Sequence, residues 1–162
     1  MRELLRLFVG SLLALSGLSV GLLYACEKPT EKKVRVSVIV ILASETDATT
    51  DPKLEALAAE IRKTKSELKG FRLFKMACKS LPLDQADVFE LIDDQSATIK
   101  IKSTADKLDR VRLEVHPPSM GKITYSTPCG KFLPIITRFK TKKGEHLLFA
   151  IRVQPCGEDK PK

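Results

Sequence analysis

The stretch VRVSVIVILA, Val34–Ala43, is the part of this sequence that decides how the chain folds. It is almost continuously apolar and rich in β-branched residues. A half-exposed strand would alternate apolar with polar, so the run reads as a strand buried on both faces.

Downstream, Ser44–Thr50 (SETDATT) is a turn-forming loop, and the clearest helix signal follows it. Asp51 caps, Pro52 suits the first helical position, and Leu54, Leu57, Ile61 and Leu68 fall on one face. The spacing predicts a helix from Pro52 to about Lys69, closed by Gly70. Phe71–Cys78 (FRLFKMAC) reads as a second strand.

The chain then becomes strand-rich. Val88–Ile92 and Ala97–Ser103 flank the turn Asp93-Asp94-Gln95, and Ile99 and Ile101 alternate with lysines. Arg110–His116 alternates strictly, placing Val111, Leu113 and Val115 on one face. Pro117-Pro118-Ser119-Met120-Gly121 interrupts the pattern, and Ile123–Ser126 resumes it. A hairpin closes the series, Phe132–Lys140 against Glu145–Gln154 around Thr141–Gly144. The expected fold class is α+β: a β-α-β start, then an antiparallel meander of about six strands, with one helix packed on the sheet.

Upstream of the first strand the sequence carries an address. Arg2 and Arg6 give a positive start, Leu7–Leu23 contains no charge, and Ala25 is small. These are the marks of a secretory signal. Leu23-Tyr24-Ala25-Cys26 resembles the lipobox of bacterial lipoproteins, and that resemblance implies a diacylated Cys26 at the mature N-terminus. Tyr24 departs from it, since a small residue is usual there. A plain secreted chain and an uncleaved anchor are the other readings, and all three place the domain outside the cytoplasm. The expected organisation is a signal over 1–25, a linker over 26–33 (including EKPTEKK), one domain over 34–156 and a polar tail over 157–162.

The succession IVILAS, DPKLEALAAEI, LKGFRLF and GEHLLFAIRV resembles an uncharacterised group of small exported bacterial α+β domains. The resemblance spans roughly residues 34–154. It implies the fold and the export, and it carries no active residues.

The 162-residue chain has a formal net charge of +8 and no tryptophan. That balance permits anionic partners. The phenylalanines and tyrosines sit mostly at alternating, core-like positions rather than among the basic residues, so a nucleic-acid stacking platform is not favoured. Arg138, Lys140, Lys142 and Lys143 cluster at the tip of the last hairpin and form the candidate basic surface. Lysines there also protect a sheet edge from strand pairing.

No catalytic constellation is expected. The two histidines, His116 and His146, sit near strand ends and lie in no nucleophile signature. Their spacing from Cys129 and Cys156 matches no compact zinc pattern, so neither metal nor cofactor is expected. The acidic pairs Asp93-Asp94 and Asp84 with Asp87 fall in turns. Glycine-rich phosphate loops and hydrolase or metalloprotease motifs are absent from the sequence.

Outside the cytoplasm disulfides persist. Cys129 and Cys156 share a Pro-Cys-Gly context. If Lys140 pairs with Glu145, these two cysteines face each other at the hairpin base, within bonding reach. A bulge at Pro134 would shift this register by one, and a competing reading leaves the two cysteines unbridged. Cys78, on the second strand, is expected as a buried free thiol. The functional expectation is a non-enzymatic envelope protein, anchored in the membrane through lipid on Cys26, whose domain contacts an as yet unspecified envelope protein. A basic binder of lipid, wall polymer or nucleic acid is the alternative.

Overall fold

A computed structural model describes residues 33–156 of the chain. The signal segment, Cys26, residues 27–32 of the linker and the tail over 157–162 lie outside the described residues, as do the side chains of Pro155 and Cys156. Eight strands form, in chain order β1 (Lys33–Ser44), β2 (Gly70–Pro82), β3 (Ala86–Ile92), β4 (Gln95–Ser103), β5 (Arg110–His116), β6 (Ile123–Pro128), β7 (Phe132–Lys140) and β8 (His146–Cys156). One helix, α1 (Glu55–Thr64), follows a 3₁₀ turn over Pro52–Leu54.

The strands divide into two antiparallel sheets, ordered β2-β1-β8-β7 and β3-β4-β5-β6. The α+β class holds, whereas the six-strand meander does not. Only β3 to β6 meander, and β7–β8 returns to the first sheet. The composition of β8 explains the return. Leu147-Leu148-Phe149-Ala150-Ile151 is apolar on both faces, so it belongs beside β1 in the middle of a covered sheet rather than at the rim of a solvated one.

Alternation along β1 sets up three layers. Val34, Val36, Val38, Val40 and Leu42 join Leu147, Phe149, Ile151 and Val153 of β8 in a core shared with Phe89, Ile99 and Leu113 of the second sheet. Ile39, Ile41 and Ala43, with Leu148 and Ala150, face the other way. They meet Leu54, Ala58, Ile61, Leu68 and Phe71 in a second core. The two sheets therefore form a sandwich, and α1 covers part of the outer face of one of them.

The helix is shorter than the spacing predicts. It ends at Thr64, and Leu68 reaches the same core from the loop beyond. Gly70 opens β2 instead of closing the helix. A Cβ there would collide with the carbonyl oxygens of Asp47 and Thr49, because the Ser44–Asp51 loop lies against the start of β2. Asp51 caps the 3₁₀ turn, its Oδ1 accepting from the Lys53 N–H at 2.9 Å.

In β2 the register slips between Val40 and Ile41, leaving Phe74 as the extra residue. The bulge reverses the facing of β2. Phe71 and Leu73 point to the helix layer, whereas Ala77 and Leu81 point into the sandwich. Cys78 thereby comes to the outer face and is exposed, which corrects the expectation of a buried thiol.

Ile61 is fully buried and Leu57 only half-buried. Ile61→Ala should lower stability by about 2–5 kcal/mol in chemical denaturation. Leu57→Ala should cost distinctly less, because water already reaches that side chain. A larger loss at Leu57 than at Ile61 would contradict this placement of the helix.

Candidate functional site

The β7–β8 hairpin does not close as Lys140 against Glu145. Lys140 pairs with His146, while Ile136 pairs with Leu148, so extra residues of β7 are accommodated between these two pairs. Thr137 explains the irregularity: its buried hydroxyl donates to the Leu147 carbonyl at 2.7 Å, standing in for a ladder bond. In the turn, Thr141 Oγ1 accepts from the Lys143 N–H at 3.3 Å and the Glu145 N–H at 3.2 Å. Gly144 supplies the positive φ that completes it.

The Lys140–Glu145 register on which the Cys129–Cys156 pairing rests does not hold, and the Cys156 side chain lies outside the described residues. The Gly130 N–H donates to the Val153 carbonyl at 2.8 Å, and Cys156 pairs through its backbone with Lys33. Cys129 is a free thiol, packed against the sandwich core, with its N–H on the Asp109 carbonyl at 2.8 Å. Burial, reinforced by Asp109, pushes its pKa up to about 11. Burial and Asp109 thus favour the protonated thiol at neutral pH.

The tip of the hairpin brings together the four basic residues singled out from the sequence. Arg138, Lys140, Lys142 and Lys143 are all exposed. Lys140 is paired, its Nζ lying 3.2 Å from Glu45 Oε1. The same carboxylate oxygen lies 2.6 Å from His146 Nε2. The His146 contact first, and then Lys140, holds the Glu45 carboxyl below its usual range. Arg138, Lys142 and Lys143 have no carboxylate partner among the described residues.

Beside the tip lies a cleft of about 380 Å³. Arg138, Lys140 and His146 line one side, Lys65 and Glu67 the loop after α1, and Met120 its end. On the opposite flank a cleft of about 350 Å³ is lined by Asp47, Asp51, Arg72 and Glu145, among others. Arg72 and Glu145 form an ion pair of 2.9 Å across it. The tip is thus a cationic ridge between one basic and one mixed cleft, able to hold an anionic partner by multiple weak charge contacts.

The hydroxyl network of the turn and the Glu45 clamp have no local sequence signal. Glu45 and His146 stand about a hundred residues apart, and only the adjacency of β1 and β8 brings them together. The histidines are engaged by carboxylates, His116 by Glu114 at 3.3 Å and His146 by Glu45. Among the described residues, no group of three or more histidine, cysteine or acidic side chains is placed to hold a metal ion. No helix of the described residues is long and apolar enough to cross a membrane. Compared with protein-family models, curated proteins and solved structures, the chain matches none.

Glu45 carries a pH prediction. A carboxyl whose folded pKa lies below its reference of 4.5 stabilises the fold above that value, and the contribution disappears as pH falls through the folded pKa. Glu45→Gln should melt slightly lower than the parent chain at neutral pH, by a few degrees at most because the pair is exposed. The two melting curves should converge well below pH 4.5. A difference that persists unchanged into strong acid would show that the carboxylate charge is not what clamps the hairpin.

Proposed function

We propose that the protein is a non-enzymatic, lipid-anchored envelope protein whose domain presents the β7–β8 tip to an acidic partner protein. The observation that carries the reading is polar. Lys33, where β1 begins, pairs with Cys156, whereas Ala43, near its end, pairs with His146 beside the tip. The chain therefore enters the domain at one pole and exposes Arg138, Lys142 and Lys143 at the other. Across the 12 residues of β1 the separation is roughly 35–40 Å at about 3.3 Å per residue. An anchor at Cys26 would hold the entry pole towards the membrane and turn the basic tip away from it. That arrangement favours a partner out in the envelope over the anchoring bilayer's own lipid. The signal-like first 25 residues support the export half of the reading, and the cations with no carboxylate partner among the described residues support the binding half.

Two measurements test it together. Cys26→Ser should release the chain from the membrane fraction, and mass spectrometry of the parent should find a lipid-bearing N-terminus at Cys26. A photo-crosslinking residue at Lys143 should yield protein adducts in intact cells that Lys142→Glu with Arg138→Glu weakens severalfold, while one at Lys100, on the far sheet, should not. Equal adducts from both positions, or adducts indifferent to charge reversal, would overturn the binding surface. Adducts to lipid or polymer alone would favour a binder of anionic surfaces instead.

A further inference from the structure

Beyond the edge of α1, the outer face of the first sheet carries the exposed Arg35 and Cys78 beside the buried Ser37. The register lays one row across it: Cys78 on β2, Ser37 on β1, Arg152 on β8 and Phe132 on β7. Arg35 stands in the next row of β1, on the same face. Its Nε donates to Cys78 Sγ at 3.1 Å, and the Ser37 hydroxyl donates to the same sulfur at 3.6 Å. The Arg152 guanidinium stacks on the Phe132 ring at 4.9 Å, and its Nε is shielded from solvent with no hydrogen-bond partner among the described residues. An exposed sulfur is thus flanked by two cations and a hydroxyl. The Arg35 bond first, then Ser37, holds the Cys78 thiol below its usual range, the reverse of what Cys129 experiences.

We propose that Cys78, Ser37, Arg35 and Arg152 form a thiol-modification site for small disulfides bearing carboxylates. The Cys78 thiolate attacks one sulfur of the disulfide. A Cys78 mixed disulfide forms, the original S–S bond breaks, and the departing thiolate takes the electron pair and a proton from water. The incoming disulfide is itself the oxidant: the Cys78 sulfur is oxidised and the released half is reduced. Arginine suits carboxylates through paired, directed N–H donors. Arg35 and Arg152 would hold the carboxylates of the attached half against the sheet, with Ser37 within reach as a donor. The proposal stands independently of the hairpin tip, which lies at the far end of the sheet.

The full chain is treated separately with glutathione disulfide, which carries carboxylates, and with cystamine, a cationic disulfide. Peptide mapping follows the mixed disulfide at Cys78. At low salt the anionic reagent should react about tenfold faster or more, with the preference shrinking as salt screens the arginines. Arg35→Gln and Arg152→Gln should each reduce that preference severalfold. Iodoacetamide, a neutral alkylator, reports whether the thiolate itself persists in each variant. Equal rates for the two disulfides in the parent chain, or a preference unchanged in both variants, would overturn the proposal, and the parent comparison decides even if a variant fails to fold. Modification falling on Cys129 rather than Cys78 would overturn it equally.

Discussion

The pairing of β1 with β8 is the constraint on which the rest of this molecule depends. Both strands are central in their sheet and buried on both faces, so their backbone bonds are shielded from water and their side chains feed two cores. Valines and isoleucines suit that role, because χ1-stiff, branched side chains pack against a pleated surface at low entropic cost. With the pair fixed, the helix has one place to dock and the meander one face to cover.

The edges then follow from charge. β2, at one rim of its sheet, turns Lys75 and Lys79 towards β3 of the other sheet. Lys79 Nζ lies 2.8 Å from Asp87 Oδ1 and donates to the Val88 carbonyl at 2.8 Å, while Lys75 lies 3.6 Å from Glu90. These contacts close the mouth of the sandwich and place charge where another strand would otherwise add. At the other rim, β7 carries Arg138 and Lys140 and is distorted beside Thr137. The same residues that make the edge unsuitable for strand addition give the tip its cationic surface.

The double-faced burial of Val34–Ala43, the alternation in β5 and the existence of the final hairpin were legible because each is written in local parity. Three features were not. Phe74 looks like an ordinary apolar strand residue, and nothing around it announces a bulge; without one, Phe74, Met76 and Cys78 pass for core. Thr137 could equally be a surface residue, so the register it shifts is invisible until its hydroxyl finds the Leu147 carbonyl. Gly70 after a leucine-spaced run reads as a helix stop, yet it is required by the loop folded over the start of β2. The basic tip was readable as composition, whereas its clamp by Glu45 and the row around Cys78 arise only from strands brought together over long sequence separations.

Native-state amide hydrogen exchange tests the primacy of the β1–β8 pair most directly. Amides of Val36–Leu42 and Leu148–Ile151 should exchange only through global unfolding, more slowly than those of β2, β6 or β7, whose outward edges open locally. All of them should lose protection together as denaturant is added. Protection highest in β3–β6, with β1 and β8 opening at a lower free energy, would contradict the account and move the organising core to the meander sheet.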